Sequence, residues 1–245
     1  MAGHSKWANI QHRKNAQDAK RGKLFTKFIR EITIASRMGG EDPLTNPRLR
    51  LAIDKALVAN MTKDVINRAI KRGSGPQEGG DMEELRYEGY APGGVAVIVD
   101  TMTDNRNRTA SDVRHAFTKF GGNLGTDGSV AYLFKHLGQM IFSAEHDEDK
   151  LMELGLEAGA SDVRVSDDGS FEVITTPESF ESIKKYFEDA GLKPEHAEVT
   201  FAADLEVSVS VEDGIRVLKM IDMLEDLDDV QNVYTNADIP EQAYA

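Results

Sequence analysis

Lys6, Arg13, Lys14, Lys20, Arg21, Lys23, Lys27 and Arg30 crowd one end of the chain, and the chemistry open to so many cations is with phosphate. Each Lys or Arg that neutralises a phosphate releases condensed counterions, so duplex binding weakens with salt at a slope of roughly −0.9 per contact. Trp7, the only tryptophan, lies among these charges. Its ring can stack on a base, or it can pack a basic arm against the body of the protein. A second basic segment, Asp104-Asn105-Arg106-Asn107-Arg108-Thr109, joins a strand to the start of a helix. Free N–H groups and the helix dipole favour an anion there, so Arg106 and Arg108 could hold phosphate. The alternative is that Arg106, Arg108 and Arg114 pair with acids of a neighbouring domain.

Other chemistry finds little support. The sequence has no G-x-x-x-x-G-K-[ST] loop, no H-E-x-x-H and no G-x-S-x-G, and its six histidines are scattered. With no cysteine, thiolate metal sites, disulfides and cysteine nucleophiles are all excluded. The acids Glu225, Asp226, Asp228 and Asp229 read as a solvated face rather than a cation site. Gly121 to Gly128 holds G-x-x-G twice but no basic residue, so it reads as a glycine-rich turn rather than an RNA-backbone clamp. The expectation is a non-enzyme with no catalytic residues, no metal and no cofactor.

The net charge of −13 hides a segregation. Residues 1–72 hold 16 Lys/Arg against 6 Asp/Glu, a balance of +10, which leaves −23 for residues 73–245. The basic part can approach a polyanion that the acidic part repels. The expected partner is therefore nucleic acid, either DNA or ribosomal RNA, with the ribosome as a possible assembly. The opening residues Met1 to Trp7 have no apolar stretch and no run is long enough to span a bilayer, so no membrane partner and a cytoplasmic location are expected. Oligomeric state is not legible.

The positioning elements follow from periodicity. Residues 1–22 read as an extended or partly helical arm. Leu24, Phe25, Phe28, Ile29 and Ile32 predict a helix over 23–38, stopped by Gly39-Gly40. Asn46 and Pro47 start a second helix as N-cap and first residue, and Thr62 with Asp64 starts a third that runs to Gly73. Beyond a glycine-rich linker, Val95 to Val99 predicts a buried strand. Thr109 and Asp112 suggest a capping box for the next helix, and a strand is expected at 130–135. Strand 139–143, helix 147–158, strands 162–166 and 171–175, helix 177–190 with Pro177 at its start, and strand 197–202 give the β-α-β-β-α-β order of a ferredoxin-like unit. Strand 205–211, helix 212–227 and strand 230–235 close the pattern. The fold class is α+β: an N-terminal three-helix bundle followed by two ferredoxin-like α+β domains, one inserted in the other. The expected boundaries are 1–80 for the basic arm and bundle, 84–136 plus 205–238 for a discontinuous α+β domain, and 137–204 for the inserted one.

Six stretches carry a resemblance: Ala2 to Asn9, Gln17 to Lys23, Asn46 to Arg50, Tyr87 to Gly94, Asp104 to Thr109, and Gly121 to Ala131. In these the sequence resembles the YebC-like proteins. The resemblance implies a cytoplasmic three-domain protein, one helical domain and two α+β domains. It also implies a regulator of gene expression. Members are described as DNA-binding regulators of transcription, while others, mitochondrial relatives among them, act as translation factors on ribosomes. No catalytic residue comes with the resemblance, and nucleic-acid contact transfers only as a tendency of the basic arm.

Overall fold

The structure is a computed structural model and describes residues 21–75, 82–166 and 168–244. Among these residues the architecture is α+β, as expected: three N-terminal helices, then two four-stranded antiparallel sheets with helices packed on them.

The bundle comprises α1 (Arg21–Gly39), α2 (Pro47–Val58) and α3 (Lys63–Ser74). Its core is built from Ile32 and Ala35 of α1, Leu49, Ala52 and Ala56 of α2, and Ile66 and Ala69 of α3. Asn46 ties the first two helices together. Its side-chain oxygen accepts from the Leu49 N–H at 3.0 Å, while its amide nitrogen donates to the carbonyls of Ala35 (2.7 Å) and Gly40 (2.8 Å). Gly73 lets α3 lie against α1, because a Cβ there would sit 2.2 Å from the Thr33 carbonyl oxygen.

The first sheet runs β3-β1-β2-β9, with β1 (Glu83–Ala91), β2 (Val95–Thr103), β3 (Asn123–Leu124) and β9 (Val230–Thr235). Two helices, α4 (Arg106–Lys119) and α7 (Val211–Glu225), bury Val113, Phe117, Val217, Met220 and Leu224 against Val95, Val97 and Val99 of β2. The second sheet runs β5-β6-β4-β7, with β4 (Phe134–Phe142), β5 (Asp162–Val165), β6 (Phe171–Thr175) and β7 (His196–Ala203). Helices α5 (Glu148–Ala158) and α6 (Phe180–Asp189) cover Met140, Phe142, Phe171 and Val173. This is the expected β-α-β-β-α-β unit, with the strand order and all-antiparallel pairing of a ferredoxin-like sheet. The opposite face of β2, Ala96 and Ile98, packs on Phe134 and Phe201 of the second sheet, joining the two units.

Local departures have local causes. Strand β1 has no alternating apolar signature in the sequence, because Glu84, Arg86 and Glu88 occupy one of its faces and Gly89 interrupts the other. Residues 131–133 form a 3₁₀ turn rather than the middle of a strand at 130–135, and β4 begins at Phe134. The cap of α4 is Asn105, whose side chain accepts from the Arg108 N–H, so Thr109 sits inside the helix instead of ahead of it. Pro177 lies in a turn three residues before α6. The strand expected over 205–211 shrinks to β8 (Val207–Ser208), paired in parallel with β10 (Ala237–Asp238).

Candidate nucleic-acid interface

Of the residues the sequence nominates, Lys6, Trp7, Arg13, Lys14 and Lys20 lie outside the described residues, as do the side chains of Arg21 and Lys23. Lys27 lines a groove of about 550 Å³ between the bundle and the first sheet. Arg30, Arg106 and Arg108 are described in full, and they do not share one fate.

Asp229, which is 7% exposed, draws two of them together. Arg30 reaches across from α1 and donates to the Asp229 carboxylate at 2.8 Å and to the Met102 carbonyl at 3.2 Å, with a further bond to the Asp228 carbonyl. Arg108 donates to the same carboxylate at 2.9 Å and to Asp104 at 3.0 Å. The hydroxyls of Thr109 (2.8 Å) and Thr103 (3.3 Å) donate to Asp229 as well. Burial alone would raise the Asp229 pKa, but the bonds from Arg108, Thr109 and Arg30 outweigh it and hold the carboxyl below the ordinary aspartate value. Arg108 therefore takes the ion-pair role, with acids of its own sheet unit. Arg106 and Arg114 are exposed and form no ion pair among the described residues.

A second arginine closes the same side of the bundle. Arg48 of α2 donates to Glu31 of α1 at 2.7 and 3.2 Å, and it also pairs with Glu84 at the start of β1. Both clamps use guanidinium groups, whose planar fork suits two carboxylate oxygens at once.

The outer side differs. Among the described residues, helix α3 packs against α1 and α2, with only minor contacts elsewhere. Opposite its buried Ile66, Ala69 and Gly73 it exposes Lys63, Arg68, Lys71 and Arg72. None of the four forms an ion pair among the described residues, and Arg68 only donates back to the Asp64 carbonyl of its own helix at 3.3 Å. These cations are spread along a helix rather than bunched, so they do not stand out in the sequence as a basic cluster. The signal was present, however, as basic residues three to five apart on the side away from an apolar stripe.

The glycine-rich stretch is a closed turn. The carboxylate of Glu88, 2% exposed, accepts from the N–H groups of Gly128 (2.8 Å), Val130 (2.7 Å) and Ala131 (2.7 Å). Burial works against ionisation, yet these three bonds hold the Glu88 pKa below the ordinary glutamate value. Amides that could have cradled a phosphate are already spent on an internal anion. Among the described residues no group of three or more His, Asp or Glu is placed to hold a metal ion, and no helix is long and apolar enough to cross a membrane.

A basic three-helix bundle clamped to the first of two acidic α+β units defines the class of molecule, and sequence comparison gives that class a name. Residues 5–76 match the TACO1/YebC protein N-terminal domain, and residues 82–237 match the TACO1/YebC second and third domain. The chain belongs to the TACO1/YebC family. A probable transcriptional regulatory protein of Thioalkalivibrio sulfidiphilus is 68% identical to it over 99% of this chain and 97% of that protein. The transcriptional regulatory protein PmpR of Pseudomonas aeruginosa is 62% identical over 100% of this chain and 99% of its own length. A crystal structure of a conserved hypothetical protein from Aquifex aeolicus superposes with a TM-score of 0.77 at 49% identity, covering 91% of this chain and 93% of that one.

Proposed function

We propose that the protein is a non-enzymatic regulator of gene expression that binds DNA through its basic arm and helical bundle, as the names of its relatives suggest. The observation that carries this reading is the charge segregation, +10 in residues 1–72 against −23 in the rest. A duplex approaching such a molecule is attracted to one end and turned away from the other, so orientation is selected before contact. Long-range attraction to phosphate needs no base reading, and the bundle offers no clear helix-turn-helix to supply it. The sites nominated for contact are the cations of residues 6–30, with Trp7, Arg106 and Arg108 beside them. Because Arg108 and Arg30 already hold Asp229, they contribute to binding only by leaving that carboxylate, and the exposed Arg106 is the more available of the three described residues.

The test is salt-dependent binding to a labelled duplex, comparing the protein with a variant in which Arg13, Lys14, Lys20 and Arg21 all become Ala. The variant should bind more weakly, and its plot of log affinity against log salt should flatten by about 2 to 4. Unchanged affinity rejects the arm as the contact. Binding to ribosomes that is lost in the same variant, with no measurable duplex binding, replaces DNA with structured RNA as the target.

A further inference from the structure

We infer that the exposed face of α3 is a second docking surface, with the phosphate backbone of double-stranded DNA as its occupant. This rests on the nucleic-acid reading above and extends it to a site outside the arm.

Three observations converge on that face. Lys63, Arg68, Lys71 and Arg72 put four cations on one twelve-residue helix, against Asp64 of the same helix and Glu41 and Asp42 of the loop beside it. All four are exposed and none is paired with a carboxylate among the described residues, whereas Arg30 and Arg48 of the same bundle both are. Helix α3 also stands on the side of the bundle away from the sheets, which carry the bulk of the acids, so a polyanion can lie along it without meeting them. A helix rises about 1.5 Å per residue, so Lys63 and Lys71, on one ridge with the neutral Asn67 between them, stand about 12 Å apart along the helix.

The duplex is preferred over single strands on the residues themselves. Helix α3 contains no aromatic side chain, and neutral stacking platforms are what single-strand grooves use to hold unpaired bases. Lysine and arginine at helical spacing instead supply point charges and forks to phosphate, which positions a duplex without reading its sequence. Cations in the last turn also complement the helix dipole, but that explains only Lys71 and Arg72, not Lys63 and Arg68.

The test uses the full chain with Lys63, Arg68, Lys71 and Arg72 all changed to Gln. A control loses four exposed cations from the acidic part instead, with Lys119, Lys150, Lys193 and Lys219 changed to Gln. Fluorescence anisotropy with a DNA duplex should show affinity falling about ten-fold or more for the α3 variant, with a salt slope shallower by about 2 to 4. The control should stay within about three-fold of the parent, because remote charges act only through a screened field. Changing Lys63 and Lys71 to Arg should preserve binding, which separates lost charge from lost fold. If the α3 variant and the control behave alike while the arm variant loses affinity, α3 is only a solvated face and the arm reading stands. If the parent protein itself binds no duplex, the arm reading falls and this one with it. An RNA duplex bound more tightly than DNA, with the same dependence on α3, overturns the assignment to DNA.

Discussion

On the side of the bundle that meets the first sheet, Arg30 and Arg48 each spend their charge on carboxylates of this chain. On the side that faces away, Lys63, Arg68, Lys71 and Arg72 spend theirs on nothing described. The two sides belong to one basic segment and are indistinguishable by composition. Their difference lies in what stands opposite. Asp229 and Glu84 are supplied by the sheet unit, and wherever such a carboxylate is within reach an arginine becomes a structural bolt. The net charge of a segment therefore overstates the charge it can offer a partner, and the remainder has to be found by locating the acids.

The comparison can be broken most directly at Asp229. Changing it to Ala leaves Arg30, Arg108 and the hydroxyls of Thr103 and Thr109 without their common acceptor, and should cost about 3 kcal/mol in urea unfolding. A loss below about 1 kcal/mol would mean that the inner face is not held there. The same carboxylate sets a pH dependence. Its pKa is depressed in the folded state, so its contribution is present above the unfolded aspartate value of about 3.9 and disappears as pH falls through the lower folded value. The stability gap between the parent and Asp229→Asn should accordingly be full near neutrality and close progressively below about pH 4. Arg48→Ala is expected to cost less, about 1 kcal/mol, because that pair is partly solvated and screened. The smallest effect belongs to the outer face. The four-fold α3 variant should unfold within about 0.5 kcal/mol of the parent, and a marked loss would show that those cations are structural after all.

Much of this was legible in the residues. Helix starts at Asn46-Pro47, the strand Val95 to Val99 and the β-α-β-β-α-β order of the second sheet all follow from periodicity and caps, which are local signals. Strand β1 was hidden because its exposed-looking charges, Arg86 and Glu88, are satisfied by partners distant in sequence: Asp100 across the hairpin and the amides of residues 128–131. The site was legible only as a charge asymmetry. Which cations are engaged depends on carboxylates about 200 positions away, as with Arg30 and Asp229, and no spacing rule encodes a pairing of that range.

Strand β2 is apolar on both faces, with Val95, Val97 and Val99 toward α4 and α7 and Ala96 and Ile98 toward Phe134 and Phe201. It serves as a party wall between the two α+β units. A protease or a truncation that removed the stretch from Phe134 to Ala203 would strip the wall on one side and wet Ile98. Each unit keeps its neighbour dry, so the pair should melt in one step rather than two.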